Sequence, residues 1–481
     1  MGRRAAAPPR RCLPRSSRSS TELSRPADPS AARPERGDEL ELVVDALAYG
    51  GAGVARLDGY VVFVTGAVPG DRVRARVTKR KRAYAEAHAL ELVEPSPERI
   101  EPRSPHPGAT WQVLPYETQL SEKQTQIHDA LTRIGHFEEP PVAPVLSAQD
   151  PWHYRNKVEY SFGESEDGEL VLGFHRPGRW NEIDDVSDDV LASERVEALR
   201  ARVKEWCRAE GLSAYDRRDR TGFLRNLVVR EGRRTGELQV RMVTSPGKFR
   251  ARELAAALPD ADGVLWTRAA GVAETTRDGD TELLAGEEAI DEELRIFGAA
   301  LRFRISPEAF FQVHTEQAER LYAIAAELAD LHGSERVFDL YSGIGTIALC
   351  LALRAREVLG IESTEPAVAD AIENARRNEV ENVSFFAGDV RTALRPLVEE
   401  AGRPDVVVVD PPRAGLSQKI VRRVLETGAR RIVYVSCNPT TLAPNARQIA
   451  DAGYRLAAVR PVDMFPQTPH IECVALLERF G

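Results

Sequence analysis

Short apolar segments recur at regular intervals in the last third of the chain and predict a parallel sheet. The segments span residues 336–340, 357–361, 383–386, 405–409 and 431–435, and helical stretches separate them. The four consecutive valines Val406–Val409 lack the alternation of a half-exposed strand, which indicates burial on both faces. Strands that alternate with helices require right-handed crossovers. The pattern therefore predicts a doubly wound α/β domain over residues 306–481.

Residues that can carry chemistry follow the ends of four of these strands. A loop with Gly343 and Gly345 follows the first strand, and Glu362 ends the second. Asp410 ends the valine strand, and Cys437 ends the last one. Alone, each has an ordinary explanation: a turn glycine, a proline-turn aspartate or a buried small hydrophobe. Because ligands bind at strand ends in open α/β sheets, their common position favours a nucleoside site beside a candidate thiol nucleophile.

The motifs along the chain closely resemble those of the RNA uracil-C5 methyltransferases. In order they are DLYSGIGTIAL, GIES, DPPRAG, SCNP and PHIECVALLER, and the likeness covers about residues 38–481. That family methylates 23S ribosomal RNA or the T-loop of tRNA. Amine methyltransferases carry an aromatic residue where this chain has Arg413, and RNA cytosine-C5 enzymes have Pro-Cys in place of Pro411-Pro412. The resemblance implies a seven-stranded class I methyltransferase sheet with an antiparallel last strand, and S-adenosylmethionine as the cofactor.

The resemblance also implies a catalytic role for each motif. Uracil C5 is a weak nucleophile, and attack of a thiolate on C6 activates it. The resemblance assigns this attack to Cys437. Glu472 matches the family's base for the C5 proton, although a salt-bridged surface carboxylate is the ordinary alternative. Asp410 is expected to bond the uracil edge or orient the reacting groups, and Arg413 to stabilise charge on the ring oxygen.

Seven residues are expected to contact S-adenosylmethionine. Gln312 is carried over from the family's Phe-Phe-Gln-Val-Asn motif, in which this chain has His314 in place of the asparagine. Asp389 follows the third strand and suits the adenine edge, and Glu362 suits the ribose diol. The full set is Gln312, Tyr341, Gly343, Thr346, Glu362, Asp389 and Asp410.

The N-terminal part predicts a small RNA-binding barrel behind a basic tail. Residues 38–95 show short strands, glycine turns and a basic run over residues 72–82 without any acid. This segment resembles the OB-like TRAM barrel, with a solvated basic strand edge as the alternative. Residues 1–37 hold nine arginines and three acids and predict a disordered tail. Because their prolines would break an amphipathic helix, a nonspecific basic arm or an over-extended start is favoured over a transit peptide.

The middle of the chain predicts a linker with a helix over residues 96–150 and an α+β RNA-binding domain over residues 151–305. Two basic residues lie on a predicted strand there, although outward-facing charges on a strand are usually only solvated. The RNA contacts expected over the whole chain are Arg76, Lys79, Arg80, Lys81, Arg155, Lys157 and Arg413.

A departure from the family concerns iron–sulfur chemistry. Enzymes for 23S ribosomal RNA commonly hold a four-iron cluster, with three cysteines after the barrel and a fourth in the central domain. Here Ser104 and Val186 stand at two of those positions, and no cysteine lies between Cys12 and Cys207. We therefore expect no iron–sulfur cluster and no other metal, since His106 alone is not a metal site.

Composition adds limits on partners and location. The 481 residues include 42% hydrophobic and 29% charged residues, with a net charge of −9 that hides the local basic run. No apolar stretch reaches the roughly 18 residues of a membrane span, and five scattered cysteines suit a reducing cytosol. We expect a cytoplasmic monomer that binds RNA and no membrane, with 23S ribosomal RNA favoured over tRNA. A nonenzymatic RNA-binding protein is the alternative from a different class.

Overall fold

The computed structural model describes residues 33–176, 179–271, 276 and 279–480. They form an N-terminal barrel, a central mixed sheet and a C-terminal doubly wound sheet. The basic tail predicted for residues 1–37 lies outside the described residues except for its last five positions.

The first five strands form a closed barrel with alternating buried and exposed residues. The strands are β1 (Glu39–Leu47), β2 (Gly53–Leu57), β3 (Tyr60–Thr65), β4 (Arg72–Arg80) and β5 (Tyr84–Glu94), in the order β1-β2-β3-β5-β4. In β4 the valines and alanine point inward while the basic residues point outward. The period of two along each strand thus produces both the core and the charged outer face.

Acids on the neighbouring strands pair with the basic face of β4. Arg76 lies 2.7 Å from Glu39, and Lys79 lies 2.9 Å from Glu86. Arg80 makes a longer contact of 3.6 Å with Glu35. The run is free of acids only along the sequence, because strand pairing brings carboxylates from β1 and β5 beside it. Lys81 makes no ion pair within the described part of the chain.

The central elements form a seven-stranded sheet with helices on it. They are β6 (Lys157–Glu164), β7 (Leu170–Arg176), β8 (Arg179–Asp185), α2 (Glu194–Ala209), β9 (Leu224–Glu231), β10 (Leu238–Thr244), α3 (Ala251–Ala256), β11 (Gly263–Arg268) and β12 (Asp280–Gly286). The order is β12-β11-β10-β9-β6-β7-β8, and a separate hairpin of β13 (Ile290–Ile296) and β14 (Ala299–Ile305) follows. β6 and β7 pair with each other as an antiparallel hairpin.

The predicted linker packs against the C-terminal sheet. Its helix α1 (Tyr116–Arg133) buries Ile127, Ala130 and Leu131 in the same core as that sheet's strands. Val142 and Leu146 then bridge to Val459 and Val462 at the sheet's edge. The segment is therefore part of the structure that supports the C-terminal domain.

The C-terminal domain is the predicted doubly wound sheet. Its elements are α4 (Thr315–Ala329), β15 (Arg336–Leu340), α5 (Thr346–Ala352), β16 (Glu357–Glu362), α6 (Glu365–Arg377), β17 (Val383–Ala387), α7 (Val390–Ala401), β18 (Val406–Val409), α8 (Gln418–Thr427), β19 (Arg431–Ser436), α9 (Pro439–Asp451), β20 (Tyr454–Val462) and β21 (Glu472–Arg479). The strand order is β17-β16-β15-β18-β19-β21-β20, and β21 runs antiparallel to both neighbours. This confirms the predicted fold.

Burial on two faces explains the continuous valine run. Val406 and Val408 pack in the core on one side of the sheet, and Val407 and Val409 pack in the core on the other. Each buried valine contributes about 1.5–3 kcal/mol relative to an exposed one. The central strands are therefore held rigidly, and this fixes the positions of the residues at their carboxyl ends.

A buried polar network occupies the stretch where the family resemblance would place cluster ligands. His106 Nε2 lies 2.8 Å from Asp189 Oδ1, and the Tyr160 hydroxyl donates to Asp189 Oδ2 at 2.7 Å. Burial raises the pKa of Asp189, but these bonds outweigh it and lower the pKa to about 2. Nearby, the Ser104 hydroxyl donates to the Asp188 carbonyl. Among the described residues, no group of three histidine, cysteine, aspartate or glutamate side chains could hold a metal ion.

None of the helices in the described ranges combines the length and apolar character needed to cross a membrane.

Candidate active site

The carboxyl ends of β15, β16, β18 and β19 bring the predicted site residues to one edge of the sheet. Leu340 and Tyr434 both pair with Val409 in the register of the central strands. The Asp410 amide donates to the Leu340 carbonyl at 3.3 Å, which fixes the residue that follows the valine strand. Asp410 therefore lies between the glycine loop after β15 and the cysteine after β19.

Strand pairing places Cys437 beside Glu472. In the antiparallel register of β19 and β21, Ser436 pairs with Cys473, so the next position along sets Cys437 opposite Glu472. Cys437 is partly exposed, whereas Glu472 is only 3% exposed. A reachable thiol thus lies beside a desolvated carboxyl group.

The Ser-Cys-Asn-Pro turn is tied to the Asp-Pro-Pro-Arg turn. Asn438 caps α9 by accepting a bond from the Thr440 amide at 3.0 Å. The Asn438 side-chain nitrogen Nδ2 donates to the Arg413 backbone carbonyl at 3.0 Å, and the Thr441 hydroxyl donates to the same oxygen at 3.3 Å. The Arg413 side chain is exposed and has no ion pair within the described residues. It is therefore available to a substrate.

Desolvation dominates the electrostatics of the site. Burial raises the pKa of Cys437 to about 11, and Glu472 adds to this while Arg413 opposes it. Burial also raises the pKa of Asp410 to about 7. Burial and the neighbouring Asp410 hold the pKa of Glu472 well above its usual range, again with Arg413 opposing. The thiol is accordingly protonated at neutral pH before substrate binds.

Two further titratable residues near this pair, His470 and Cys473, are held neutral. Burial lowers the pKa of His470 to about 4, and Arg413, Arg155 and Lys123 lower it further. Cys473 is fully buried in an apolar cluster, and burial raises the pKa of its thiol. Cys437 is therefore the accessible thiol at this edge.

The glycine loop and Glu362 form a cradle that fits the cofactor. The Gly343 amide donates to Glu362 Oε2 at 3.2 Å, and the Thr364 amide donates to Oε1 at 2.9 Å. Gly343 has φ of +54°, and the space where a Cβ would stand is open. Tyr341 also has a positive φ of 71°, a strained conformation of the kind found at ligand sites.

Buried polar groups without partners lie under this cradle. Asp339 is fully buried, and its carboxylate makes no hydrogen bond of good geometry, although the Ala348 amide lies nearby. Burial and then Asp410 raise its pKa to about 8. The buried Ser342 hydroxyl also lacks a partner. These unsatisfied groups fit a polar ligand such as the amino-acid end or ribose of S-adenosylmethionine.

The remaining predicted cofactor residues lie in three separate segments of the C-terminal domain. Thr346 begins α5 directly after the glycine loop, and Asp389 caps α7 by accepting from the Arg391 amide at 2.8 Å. Gln312 is buried, and its carbonyl accepts a bond of 2.9 Å from the Asn156 side chain. The sequence analysis did not identify Asp339 or Asn156; the available signals were the place of Asp339 inside the DLYSGIGTIAL motif and that of Asn156 between Arg155 and Lys157.

The predicted RNA contacts are not gathered in one place. Arg155 and Arg413 both lie near enough to His470 to lower its pKa, so they flank the catalytic edge. Lys157 instead forms an ion pair of 2.6 Å with Glu159, in which the lysine is half-buried and the glutamate exposed. The candidates on the barrel lie on the outer face of β4 and in the turn that follows it.

Comparison with known proteins identifies the class. The family model for tRNA (uracil-5-)-methyltransferases matches residues 115–480, and the TRAM domain model matches residues 33–90. Uncharacterized RNA methyltransferases of Halalkalibacterium halodurans and Gloeobacter violaceus are 38% and 40% identical, over 92% and 95% of this chain and 97% and 100% of theirs. The Pyrococcus abyssi tRNA (uracil-54, C5)-methyltransferase, solved with S-adenosyl-L-homocysteine, is 30% identical with a TM-score of 0.74. That match covers 91% of this chain and 100% of the archaeal one.

The fold and these matches define an S-adenosylmethionine-dependent RNA methyltransferase with an N-terminal TRAM barrel. The chain belongs to the tRNA (uracil-5-)-methyltransferase family. The family, the fold, the TRAM barrel and the cofactor predicted from the sequence are thereby confirmed.

The raised pKa of Cys437 predicts a steep pH dependence of its reactivity. Only the thiolate reacts, so its alkylation by iodoacetamide should rise about tenfold per pH unit between pH 7 and 9.5, without a plateau. A synthetic peptide of residues 431–441, with an ordinary thiol pKa of about 8.5, should level off near pH 9. Arg413→Gln should slow alkylation at every pH, because it removes the opposing cation. Peptide mass spectrometry would follow Cys437 alone, and a plateau below pH 9 would contradict this electrostatic description.

Proposed function

We propose that this enzyme makes 5-methyluridine in RNA through a covalent bond between Cys437 Sγ and uracil C6. The observation that carries the proposal is the Cys437–Glu472 pair, set by strand register beside the cofactor cradle. A protein that only binds RNA would have no use for a partly exposed thiol beside a buried carboxyl group.

The proposed reaction assigns one bond change to each residue. Cys437 attacks C6, and the C5–C6 double-bond electrons make C5 a carbon nucleophile. S-adenosylmethionine supplies an electrophilic methyl group. The Glu472 carboxylate then takes the C5 proton, the C5–C6 double bond re-forms, and the Cys437 thiolate leaves. Arg413 is the cation placed to stabilise the negative charge that develops on the ring oxygen.

The raised pKa values suit these proton transfers. Cys437 must lose a proton before it attacks, and Asp410 has a pKa of about 7, which lets it accept one near neutral pH. Glu472 has a pKa held well above its usual range, and a carboxylate with a high pKa is a stronger base for a carbon-bound proton. The cofactor contacts proposed for Gln312, Tyr341, Gly343, Thr346, Glu362 and Asp389 place the methyl donor on the same edge.

Substitution of the two facing residues should block the reaction at different stages. With unmodified RNA substrate and S-adenosylmethionine, Glu472→Gln should accumulate a protein–RNA adduct, because methyl transfer occurs but the C5 proton stays. Cys437→Ala should form no adduct even with RNA that contains 5-fluorouridine, which traps the wild-type enzyme. Denaturing gels with labelled cofactor would show both results.

Cys473→Ala is the matched control, because this neighbouring thiol is buried in the apolar cluster. It should trap 5-fluorouridine RNA as the wild type does. An adduct in Cys437→Ala, or one that maps to Cys473, would overturn the assignment.

We propose 23S ribosomal RNA as the target. The Tyr-Arg-Asn-Lys segment over residues 154–157 resembles that of the 23S enzymes. Three of its members make internal contacts: the Tyr154 hydroxyl donates to the Pro466 carbonyl, Asn156 donates to Gln312, and Lys157 pairs with Glu159. Arg155 is therefore the member that bears most directly on RNA, since it flanks the catalytic edge.

The T-loop of tRNA is the second candidate. A tRNA methyltransferase of known structure matches 91% of this chain, so overall architecture does not distinguish the two targets. The exposed ion pairs on β4 do not distinguish them either. Such pairs contribute only about 0–1 kcal/mol, so phosphates of either RNA can compete for these cations.

Mapping 5-methyluridine in RNA from a deletion strain would identify the target. We expect one site in 23S ribosomal RNA to lose the mark, and a plasmid with the wild-type gene to restore it. The same plasmid with Cys437→Ala should not restore it. Loss from the tRNA T-loop alone would refute the ribosomal target while leaving the uracil chemistry intact.

A further inference from the structure

The loop that joins β1 and β2 of the barrel reaches the catalytic edge of the methyltransferase sheet. The Tyr49 hydroxyl donates a hydrogen bond of 3.2 Å to the backbone carbonyl of Cys437, across 388 residues of sequence. The barrel therefore contacts the main chain of the proposed nucleophile itself.

The shape of this loop depends on its glycines. The Ala48 amide donates to the Ala52 carbonyl at 2.8 Å, and the Gly51 amide donates to the Ala48 carbonyl at 2.9 Å, which closes a tight turn. Gly51 has φ of +88°, and a Cβ there would lie 2.8 Å from the Pro469 side chain. The turn thus packs against the segment that leads to Glu472, at a distance that only glycine allows.

An apolar contact holds the barrel in this position. Leu47 and Val68 of the barrel pack with Trp111 and Leu114, which lie beyond it in the chain. The Trp111 amide also donates to the Gln467 carbonyl at 3.0 Å. The barrel is thereby anchored to the same loop that precedes His470 and Glu472, and the position of Tyr49 is fixed relative to both catalytic strands.

We propose that Tyr49 is a positioning residue of the active site, which holds the Cys437 main chain so that the thiol faces uracil C6. The inference rests on the proposed role of Cys437 as nucleophile. Cys437 begins the turn between β19 and α9, where the Asn438 amide of the same peptide unit donates to the Ser436 hydroxyl at 3.2 Å and Tyr49 holds the carbonyl side. With this bond the TRAM barrel becomes part of the catalytic site as well as an RNA-binding module.

The chemistry of Tyr49 suits a permanent donor. Burial raises the pKa of its phenol, and the neighbouring Cys437 raises it further, while Arg413 opposes this. The hydroxyl therefore keeps its proton throughout the working pH range and can donate to the carbonyl at every stage. The tyrosine side chain also has few rotamers, so little conformational entropy is lost when its hydroxyl is held in one position.

Tyr49→Phe tests the role because it removes only the hydroxyl. We expect the single-turnover rate of adduct formation, at saturating RNA and S-adenosylmethionine, to fall about three- to tenfold, which is the usual effect of one lost hydrogen bond. The probes are transcripts of 23S ribosomal RNA and of tRNA made with 5-fluorouridine. The Kd for RNA and the melting temperature should stay within about twofold and about 2 °C of the wild type, as expected for a lost exposed bond.

Tyr60→Phe is the matched control. Its hydroxyl also donates to a backbone carbonyl, that of Lys81 at 2.6 Å, but this bond lies within the barrel. Tyr60→Phe should leave the adduct rate unchanged. An equal fall in both variants would overturn the inference, because it would indicate general loosening of the barrel.

The other outcomes separate the inference from the proposed function. A wild-type rate in Tyr49→Phe would overturn the positioning role and leave Cys437 as the nucleophile. A higher Kd for RNA with an unchanged rate at saturation would make Tyr49 an RNA contact instead. Absence of a Cys437 adduct in the wild-type enzyme with both transcripts would reject the proposed function itself.

Discussion

The antiparallel pairing of β21 with β19 is the constraint on which the active site depends. It sets Cys437 opposite Glu472, and a slip of one residue would instead bring the buried Cys473 toward the thiol and turn Glu472 to the other face. Two features hold the register. β21 is paired on both sides, by β19 and β20, and the loop before it is bonded to α1. Lys123 Nζ contacts Asp463 at 2.6 Å, and Gln119 bonds Gln467 at 2.8 Å, both in the interior.

Desolvation raises the pKa values of the carboxyl groups at this edge of the sheet, and burying these groups lowers the stability of the folded protein. Asp339 and Glu472 are buried and Asp410 is half-buried, and each has a raised pKa. Arg413 is a cation that lowers the pKa of both Cys437 and Glu472, and its side chain remains exposed. Protonation of such a carboxyl group removes the cost of burying its charge, and a group with a raised pKa remains able to exchange protons during turnover. The apolar cores on both faces of the central strands offset the remaining penalty.

Local sequence pattern was sufficient for the sheet and for the strand-end residues. The run Val406–Val409 could only fit a strand buried on both faces, and the residues directly after the parallel strands share one edge by geometry. Contacts between segments that are far apart in the sequence have no local pattern from which they could be predicted. The acids that pair with β4, the docking of α1 and the bond from Tyr49 to Cys437 depend on how the domains pack. Asn156 was visible within a motif, but its support of Gln312 required the folded structure.

The fate of the C5 proton shows whether Glu472 is the base of the reaction. RNA carrying tritium at uracil C5 would be incubated with enzyme and S-adenosylmethionine, and released tritium compared with methyl groups transferred. The proposed pair predicts one tritium released per methyl for the wild type, and methyl transfer with retained tritium for Glu472→Gln. Tritium release from Glu472→Gln at the wild-type ratio and rate would contradict the assignment of Glu472 as the base that faces Cys437.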